Sequence, residues 1–373
     1  MIVDLWPAVP ESIHLTDEYW SHDEHTYHES NMDLKKAGFE PVVCLVTLRQ
    51  RRSLLRDGLH YEFFPIDDPA KDYREQTSTS LMEAIHNLNP DVLIVHLPNR
   101  RITDCIITDP DLHAIKVLQI NTYHTFGTTF EQVEKNPGLV DAYFVNSSSL
   151  KETIQARHSI AAEKILVLPS AVDLGLYSPD LNATKRWSLI WTGQMRMDDD
   201  KRLEILISLI EKTGLNLLLV GDGPKRVFLE RLAATAGVET RVEFRGWIPY
   251  YELPALLNQA SIYVTTASMD PSSRSLTEAL SCGLPVLGFE NCPGLEEQVT
   301  CHYNGFLVKD LDQMAEAAKS LLADRELYTR LSRNSRIIAE QRFGRDQRTT
   351  RLAHKLLELL EGANGKKHVK NEI

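Results

Sequence analysis

The stretch SMDPSSRSLTEALSCGLPVLGF, residues 268–289, sets two carboxylates, Asp270 and Glu278, across a turn of small residues. A helix that starts within it has free amides and a positive dipole end in its first turn. The small side chains of Ser272 and Ser273 would let an anion approach that backbone. Glu278 then lies one turn into the helix, placed to accept hydrogen bonds from a diol such as a ribose. Asp270 precedes the helix, beside whatever the anion carries. Ribose at one end, diphosphate in the middle and hexose at the other would fill such a turn. The plainer alternative is an acidic cap followed by an exposed helical glutamate.

A second segment, WTGQMRMDDDKRLEILI (residues 191–207), brings Arg196 and Lys201 into one loop. Two fixed cations there could neutralise a departing diphosphate; the alternative is a solvated charged loop. The run Asp198-Asp199-Asp200 between them has no neighbouring His or Glu to complete a metal shell, so it reads as solvated. His22, His25 and His28 are spaced by three, which on a helix could gather metal ligands, but surface histidines are the plainer reading. No metal is expected.

These residues need strand ends to hold them. Short β-branched runs alternate with helical patterns along the whole chain. Strands are expected at 2–6, 41–47, 61–66, 92–96, 116–123, 142–145 and 165–168. After a polar linker near Pro179 the pattern restarts at 189–192, 215–220, 242–245, 262–265, 286–289 and 305–308. Helices are expected at 22–37, where Ser21 and Glu24 form a capping box, and at 78–89, 149–157, 201–213, 225–236, 251–259, 275–281, 298–300, 312–322, 326–342 and 346–361. Such alternation means α/β architecture with parallel sheets covered on both faces. The expected organisation is two doubly wound Rossmann-like domains facing a cleft, 1–178 and 179–345, then a helix over 346–361 crossing back and a frayed tail over 362–373. In such folds ligands sit beyond the carboxyl ends of the strands, which places both segments above at a ligand site.

The 373 residues carry a net charge of −11, unevenly placed. Residues 1–180 hold 15 basic and 27 acidic side chains, residues 181–373 hold 26 and 25. An acidic first half argues against broad docking on nucleic acid or anionic lipid. No run of ~18 apolar residues suggests a spanning helix. The first residues read as a strand without a secretory leader, and the five cysteines fit reduced thiols. A cytoplasmic protein with at most peripheral membrane association is expected.

The order of the weaker turns is more specific than any one of them. VGDGP (220–224), FRGWIP (244–249), the Asp270–Glu278 stretch with CGLPV (282–286), PGLEEQV (293–299) and HYNGFLV (302–308) follow one another. This succession resembles the donor domain of GT-B glycosyltransferases, most of all retaining family 4 (glycosyl transferases group 1), over about residues 139–345. The resemblance implies transfer of a hexose-type sugar from a nucleotide sugar to a hydroxyl acceptor, with retention and without a metal cofactor. It implies that Arg196 and Lys201, with Gly193 in the same loop, hold the diphosphate. The amides of Ser273, Arg274, Ser275 and Leu276 would meet phosphate, Glu278 the ribose, Trp247 and Ile248 the nucleobase. Asp270 would sit at the donor sugar, and Glu297 also fits a family position. His124, ending VLQINTYHTFG, would lie next to the donor sugar and acceptor.

The first half departs from the pattern. The Gly-rich loop expected after the first strand is replaced by PAVPESIHLTDEYWSHDEHTYHES, where Asp23 and Glu24 would repel a phosphate. Position 270 is Asp where the family more often has Glu. Arg49 and Arg52 in LRQRR, and Arg100 and Arg101 in PNRR, follow strands and are expected at the cleft rim, either as an anionic-acceptor site or as solvated charge. His96, ending IVHLP, is a further candidate. Two other readings stay open, a sugar-nucleotide epimerase of the same fold and a non-catalytic nucleotide-sugar-binding subunit.

Overall fold

The computed structural model describes residues 1–7, 26–123, 128–197 and 200–371. The expected capping box at Ser21 and Glu24, with His22 and His25, lies outside the described residues, as do His124, Asp198 and Asp199. The chain divides into two units, one of residues 1–168 with 348–373 and one of residues 169–347.

Unit 1 runs β1 (Ile2–Trp6), α1 (Thr26–Lys36), β2 (Pro41–Thr47), β3 (Arg52–Arg56), β4 (Leu59–Pro65), α2 (Thr79–Leu88), β5 (Val92–His96), α3 (Arg101–Thr108), β6 (Ile115–Ile120), α4 (Thr128–Lys135), β7 (Ala142–Val145), α5 (Ser148–His158) and β8 (Ile165–Val167). The sheet order is β3-β4-β2-β1-β5-β6-β7-β8. β1 and β5 are buried along their whole length, as strands covered on both faces must be. Serine caps start the helices: Ser78 Oγ accepts from the Leu81 amide before α2, and Ser147 Oγ from the Leu150 amide before α5.

Three elements escape the hydrophobic pattern. β3 pairs antiparallel with β4 at the sheet edge. Its sequence RSLLR has no apolar run because an edge strand carries charge on its open side. ITDCIIT looks β-branched, yet it forms α3, since buried Ile102, Ile106 and Ile107 fall at helical spacing. α4 is likewise a short helix with Phe130 and Val133 buried.

Unit 2 runs β9 (Trp187–Thr192), α6 (Glu204–Thr213), β10 (Leu217–Val220), α7 (Arg226–Thr235), β11 (Val242–Gly246), α8 (Leu253–Asn258), β12 (Ala260–Val264), α9 (Arg274–Ser281), β13 (Val286–Phe289), α10 (Pro293–Gln298), β14 (Gly305–Val308), α11 (Leu311–Ala323) and α12 (Arg325–Arg342). All its strand pairs are parallel, in the order β11-β10-β9-β12-β13-β14. The direction of winding therefore reverses between β9 and β12. A crevice opens beyond the carboxyl ends of strands at such a switch point. α10 ends at Gln298, where a helix over 298–300 was expected.

The unit boundary falls at 168/169, not at 178/179. Residues beyond Pro169 are already tied into unit 2: the Val172 amide donates to the Phe343 carbonyl at 3.0 Å, and the Arg345 amide donates to the Val172 carbonyl at 3.0 Å. The last helix, α13 (Arg345–Asn371), leaves unit 2 and continues in unit 1. There Leu352 and Leu356 join a core of Ile2, Leu34, Ile94, Val117 and Phe144. Arg351 Nη2 donates to the Val167 carbonyl at 2.8 Å. The tail expected from residue 362 is helical as far as Asn371. Among the described residues no helix is long and apolar enough to cross a membrane.

Candidate active site

The two sequence segments meet at the unit 2 switch point. The loop after β9 carries Gly193, Arg196 and Lys201, and the loop after β12 carries Asp270 and Ser273. They are stitched together by backbone. The Ser268 amide donates to the Asp200 carbonyl at 2.9 Å. Arg202 Nε donates to the Thr266 carbonyl at 2.9 Å, and Thr266 Oγ1 reaches the carbonyls of Lys201 and Arg202. Thr266 is buried, so the loops share an interior polar joint whose groups are satisfied.

The VGDGP turn supports the first loop from behind. The Gly193 amide donates to the Val220 carbonyl at 3.0 Å, and the Met195 amide to the Asp222 carbonyl at 2.8 Å. Gly221 has φ +123°, and a Cβ there would fall 1.9 Å from the Gly193 carbonyl oxygen. Only glycine allows that approach. Arg196 is exposed on this loop. Lys201 is half-buried, with Nζ 5.5 Å from the centroid of the Trp191 ring.

Asp270 is partly buried. Burial pushes its carboxyl above the ordinary carboxylate value, against the pull of the Lys201 charge and of hydrogen bonds from the Ser272 amide and the Ser273 hydroxyl. Its backbone is clamped by α10: a Cβ on Gly294 would lie 1.9 Å from the Asp270 carbonyl oxygen. The weak-looking PGLEEQV turn thus fits against the site because glycine stands at 294.

Ser273 is the N-cap of α9, which begins one residue before the expected 275. Its hydroxyl accepts from the Leu276 amide at 3.4 Å, and its own amide donates to Gln298 Oε1 at 2.9 Å. Two of the four amides expected to meet a phosphate, Ser273 and Leu276, are therefore engaged within the protein. Gln298, buried on α10, also donates Nε2 to the Ser273 carbonyl at 2.9 Å and to Thr277 Oγ1 at 2.8 Å. Ser170 joins from the chain entering unit 2, donating Oγ to the Ser272 carbonyl at 2.9 Å. Neither Gln298 nor Ser170 has a recognisable signal in the sequence.

Glu278 is only 6% exposed, not a surface glutamate. Arg274 Nε donates to its Oε1 at 2.9 Å. Trp247 is 55% exposed in the loop after β11, with Ile248 half-buried against the core. Glu297 is half-buried on α10.

The candidates of unit 1 fare unevenly. Arg49 and Arg101 are exposed after β2 and at the start of α3. Arg52 opens β3, its guanidinium carbon 4.2 Å from the Phe63 ring centroid. Arg100 is not surface charge. It is buried, stacked 4.1 Å from the Tyr73 ring centroid, and burial pulls its pKa down. His28 is also buried, with Nδ1 2.7 Å from the Tyr61 hydroxyl and Nε2 3.1 Å from Asp57 Oδ2, so both ring nitrogens are committed. His96 stacks on Trp6 at 3.6 Å, and its Nε2 lies 2.7 Å from Asp4 Oδ1. Asp4 feels burial as its largest influence, yet the His96 charge and hydrogen bonds from His96, Asn31 and Trp6 outweigh it and hold the carboxyl low. Among the described residues no three His, Cys, Asp or Glu gather as metal ligands.

Residues 192–337 match the family described as Glycosyl transferases group 1. The phosphatidylinositol N-acetylglucosaminyltransferase gpi3 subunit of Schizosaccharomyces pombe is 24% identical over 183 residues, 48% of this chain and 40% of that protein. The likeness thus spans less than half of that relative. Two solved structures match nearly end to end. Sucrose-phosphate synthase from Thermosynechococcus elongatus aligns with TM-score 0.75 at 16% identity, over 97% of this chain and 99% of the other. Anabaena HepE in complex with UDP-glucose aligns with TM-score 0.72 at 18% identity, over 96% of this chain and 99% of the other. At those identities the structures speak for the fold alone. The chain has the GT-B fold, and within its second unit residues 192–337 match the glycosyl transferases group 1 family.

Proposed function

We propose that this chain transfers a hexose-type sugar from a nucleotide-sugar donor to a hydroxyl acceptor with retention of configuration. The observation that carries the reading is the joint at the β9/β12 switch point, where the Arg196–Lys201 loop is hydrogen-bonded to the turn bearing Asp270. A diphosphate lying there would meet two cations from one side and the start of α9 from the other. Glu278 would take the ribose, Trp247 and Ile248 the base, and Asp270 the donor sugar.

In this reading the bond from the sugar C1 to the phosphate oxygen breaks while the acceptor oxygen bonds to C1 from the same face. The acceptor proton passes to the departing phosphate oxygen, so no strong protein base is needed. Arg196 and Lys201 stabilise the charge that develops on the diphosphate. The reading needs no metal. The resemblance implies that His124 orients the sugar, while Arg49, Arg52 and Arg101, which follow strands, would meet an anionic acceptor group. A cytoplasmic enzyme, at most peripheral on the inner membrane face, would meet both kinds of substrate.

A thermal-shift panel of UDP-, GDP-, ADP- and dTDP-sugars tests the donor. A ligand at ~100 Kd adds about 2.7 kcal/mol of stability. With donor and acceptor supplied, Lys201→Ala should lower kcat ~10²–10³-fold and leave the melting temperature of the free protein nearly unchanged. The reading fails if no nucleotide sugar shifts the melt, or if donor alone is converted to an epimer. Anomeric NMR of the product checks retention.

A further inference from the structure

The pairing of Arg274 with Glu278 goes beyond what the loop order implies. Arg274 is the first residue of α9, and its Nε donates to Glu278 Oε1 at 2.9 Å, one turn on. Its guanidinium carbon lies 5.5 Å from the centroid of the Tyr250 ring, in the loop between β11 and α8. The same loop carries exposed Trp247.

A cation in the first turn of a helix opposes the macrodipole, at a cost of ~0.3–1 kcal/mol. Something must offset that placement. Glu278 is almost wholly buried, and a carboxylate so placed tends to take up a proton unless a cation or hydrogen bonds hold its charge. The Glu278 charge is felt around it: after burial, it is the next influence raising the Cys282 thiol to about 12, and it raises the Tyr177 hydroxyl too. Arginine is always charged and presents a rigid fork, so Arg274 sets a fixed positive charge against the buried Glu278 carboxylate through Nε.

We propose that Arg274 is the positioning residue of a ribose subsite. By holding Glu278 ionised and aimed, it makes the site select ribonucleoside diphosphates over their 2′-deoxy counterparts. Through Tyr250 it links that choice to the loop that carries Trp247. This inference rests on the donor reading above.

The test is calorimetric titration of the full chain with UDP, GDP and ADP, then of the tightest of these against its 2′-deoxy form. The unsubstituted protein should prefer the ribonucleotide by about tenfold or more, the worth of one hydrogen bond to a charged group. Arg274→Met should bring that preference to within about threefold, and its affinity should fall as pH drops from about 8 to 5.5, because Glu278 then takes up a proton. Arg274→Lys should restore the flat pH profile, since the charge is back. An Arg274→Met protein with ribose preference and pH profile intact would overturn the proposal, as would an unsubstituted protein blind to the 2′-hydroxyl. Should Arg274→Met fail to fold, Arg274→Lys decides, because losing the fork alone should still weaken the preference, and an undiminished one overturns it. If no diphosphate binds the unsubstituted protein, the donor reading falls as well.

Discussion

At the scale of single residues, Asp270 sits where its charge is costly. Its carboxyl is held above the ordinary value of 3.8 mainly by burial. The folded protein therefore favours the protonated form more than the unfolded chain does. Below about pH 3.8 both states are protonated and nothing is lost, while above the raised folded value the full penalty applies. Asp270→Asn should stabilise the free protein at pH 7–8 by ~0.5–2 kcal/mol. That gain should vanish as the pH approaches 4 in parallel melting curves, and sugar transfer should be lost. A stability gain that is the same at every pH would mean the charge is not the cause. Asp270 was legible beforehand as a carboxylate before a helix, but its burial was not, because neighbours from α10 and the β9 loop enclose it.

At the scale of elements, the start of α9 is held by α10. Gln298 accepts from the Ser273 amide and donates to the Ser273 carbonyl and to Thr277 Oγ1, which are also bonded to each other. Gln298→Ala takes the partner of the Ser273 amide and a brace from Thr277, and should cost ~1–3 kcal/mol, with a raised KM for the donor as the turn loosens. An unchanged KM would mean that α9 holds its start by the Ser273 cap and Ser170 alone. Gly221→Ala acts on the other loop. The added Cβ must displace the Gly193 carbonyl, so kcat should fall with Arg196 and Lys201 out of place, although neither cation is altered.

Most strands and long helices of this chain were readable from periodicity, since continuous apolar runs and capped amphipathic stretches state their own structure. What was hidden is what depends on neighbours. β3 is an arginine-rich edge whose pairing partner alone makes it a strand, and α3 hides helical spacing within β-branched residues. The cations and carboxylates of the site stood out by type and spacing. Gln298, Ser170 and Thr266 did not, because a brace is defined by what it touches across the fold. Arg100 and His28 misled in the opposite sense, since polar types gave no hint that Tyr73 and Tyr61 would bury them.

At the scale of the whole molecule, unit 1 is closed by residues that come after unit 2. Leu356 is fully buried against Ile2, Ile94, Val117 and Phe144. Leu356→Ala should cost ~2–5 kcal/mol, and hydrogen exchange should show the loss in β1, β5, β6 and β7 while β9–β14 keep their protection. Uniform loss over both sheets would mean the two units melt as one.

The path of α13 also bears on how the chain is made. Unit 2 is one continuous stretch, whereas the core of unit 1 lacks Leu352 and Leu356 until synthesis has passed all of residues 169–347. Domains usually fold in the order they are translated. Here the strands made first must wait, with part of their apolar face uncovered, while a later domain completes itself. The second unit of this protein can be finished on the ribosome before the unit that was begun first.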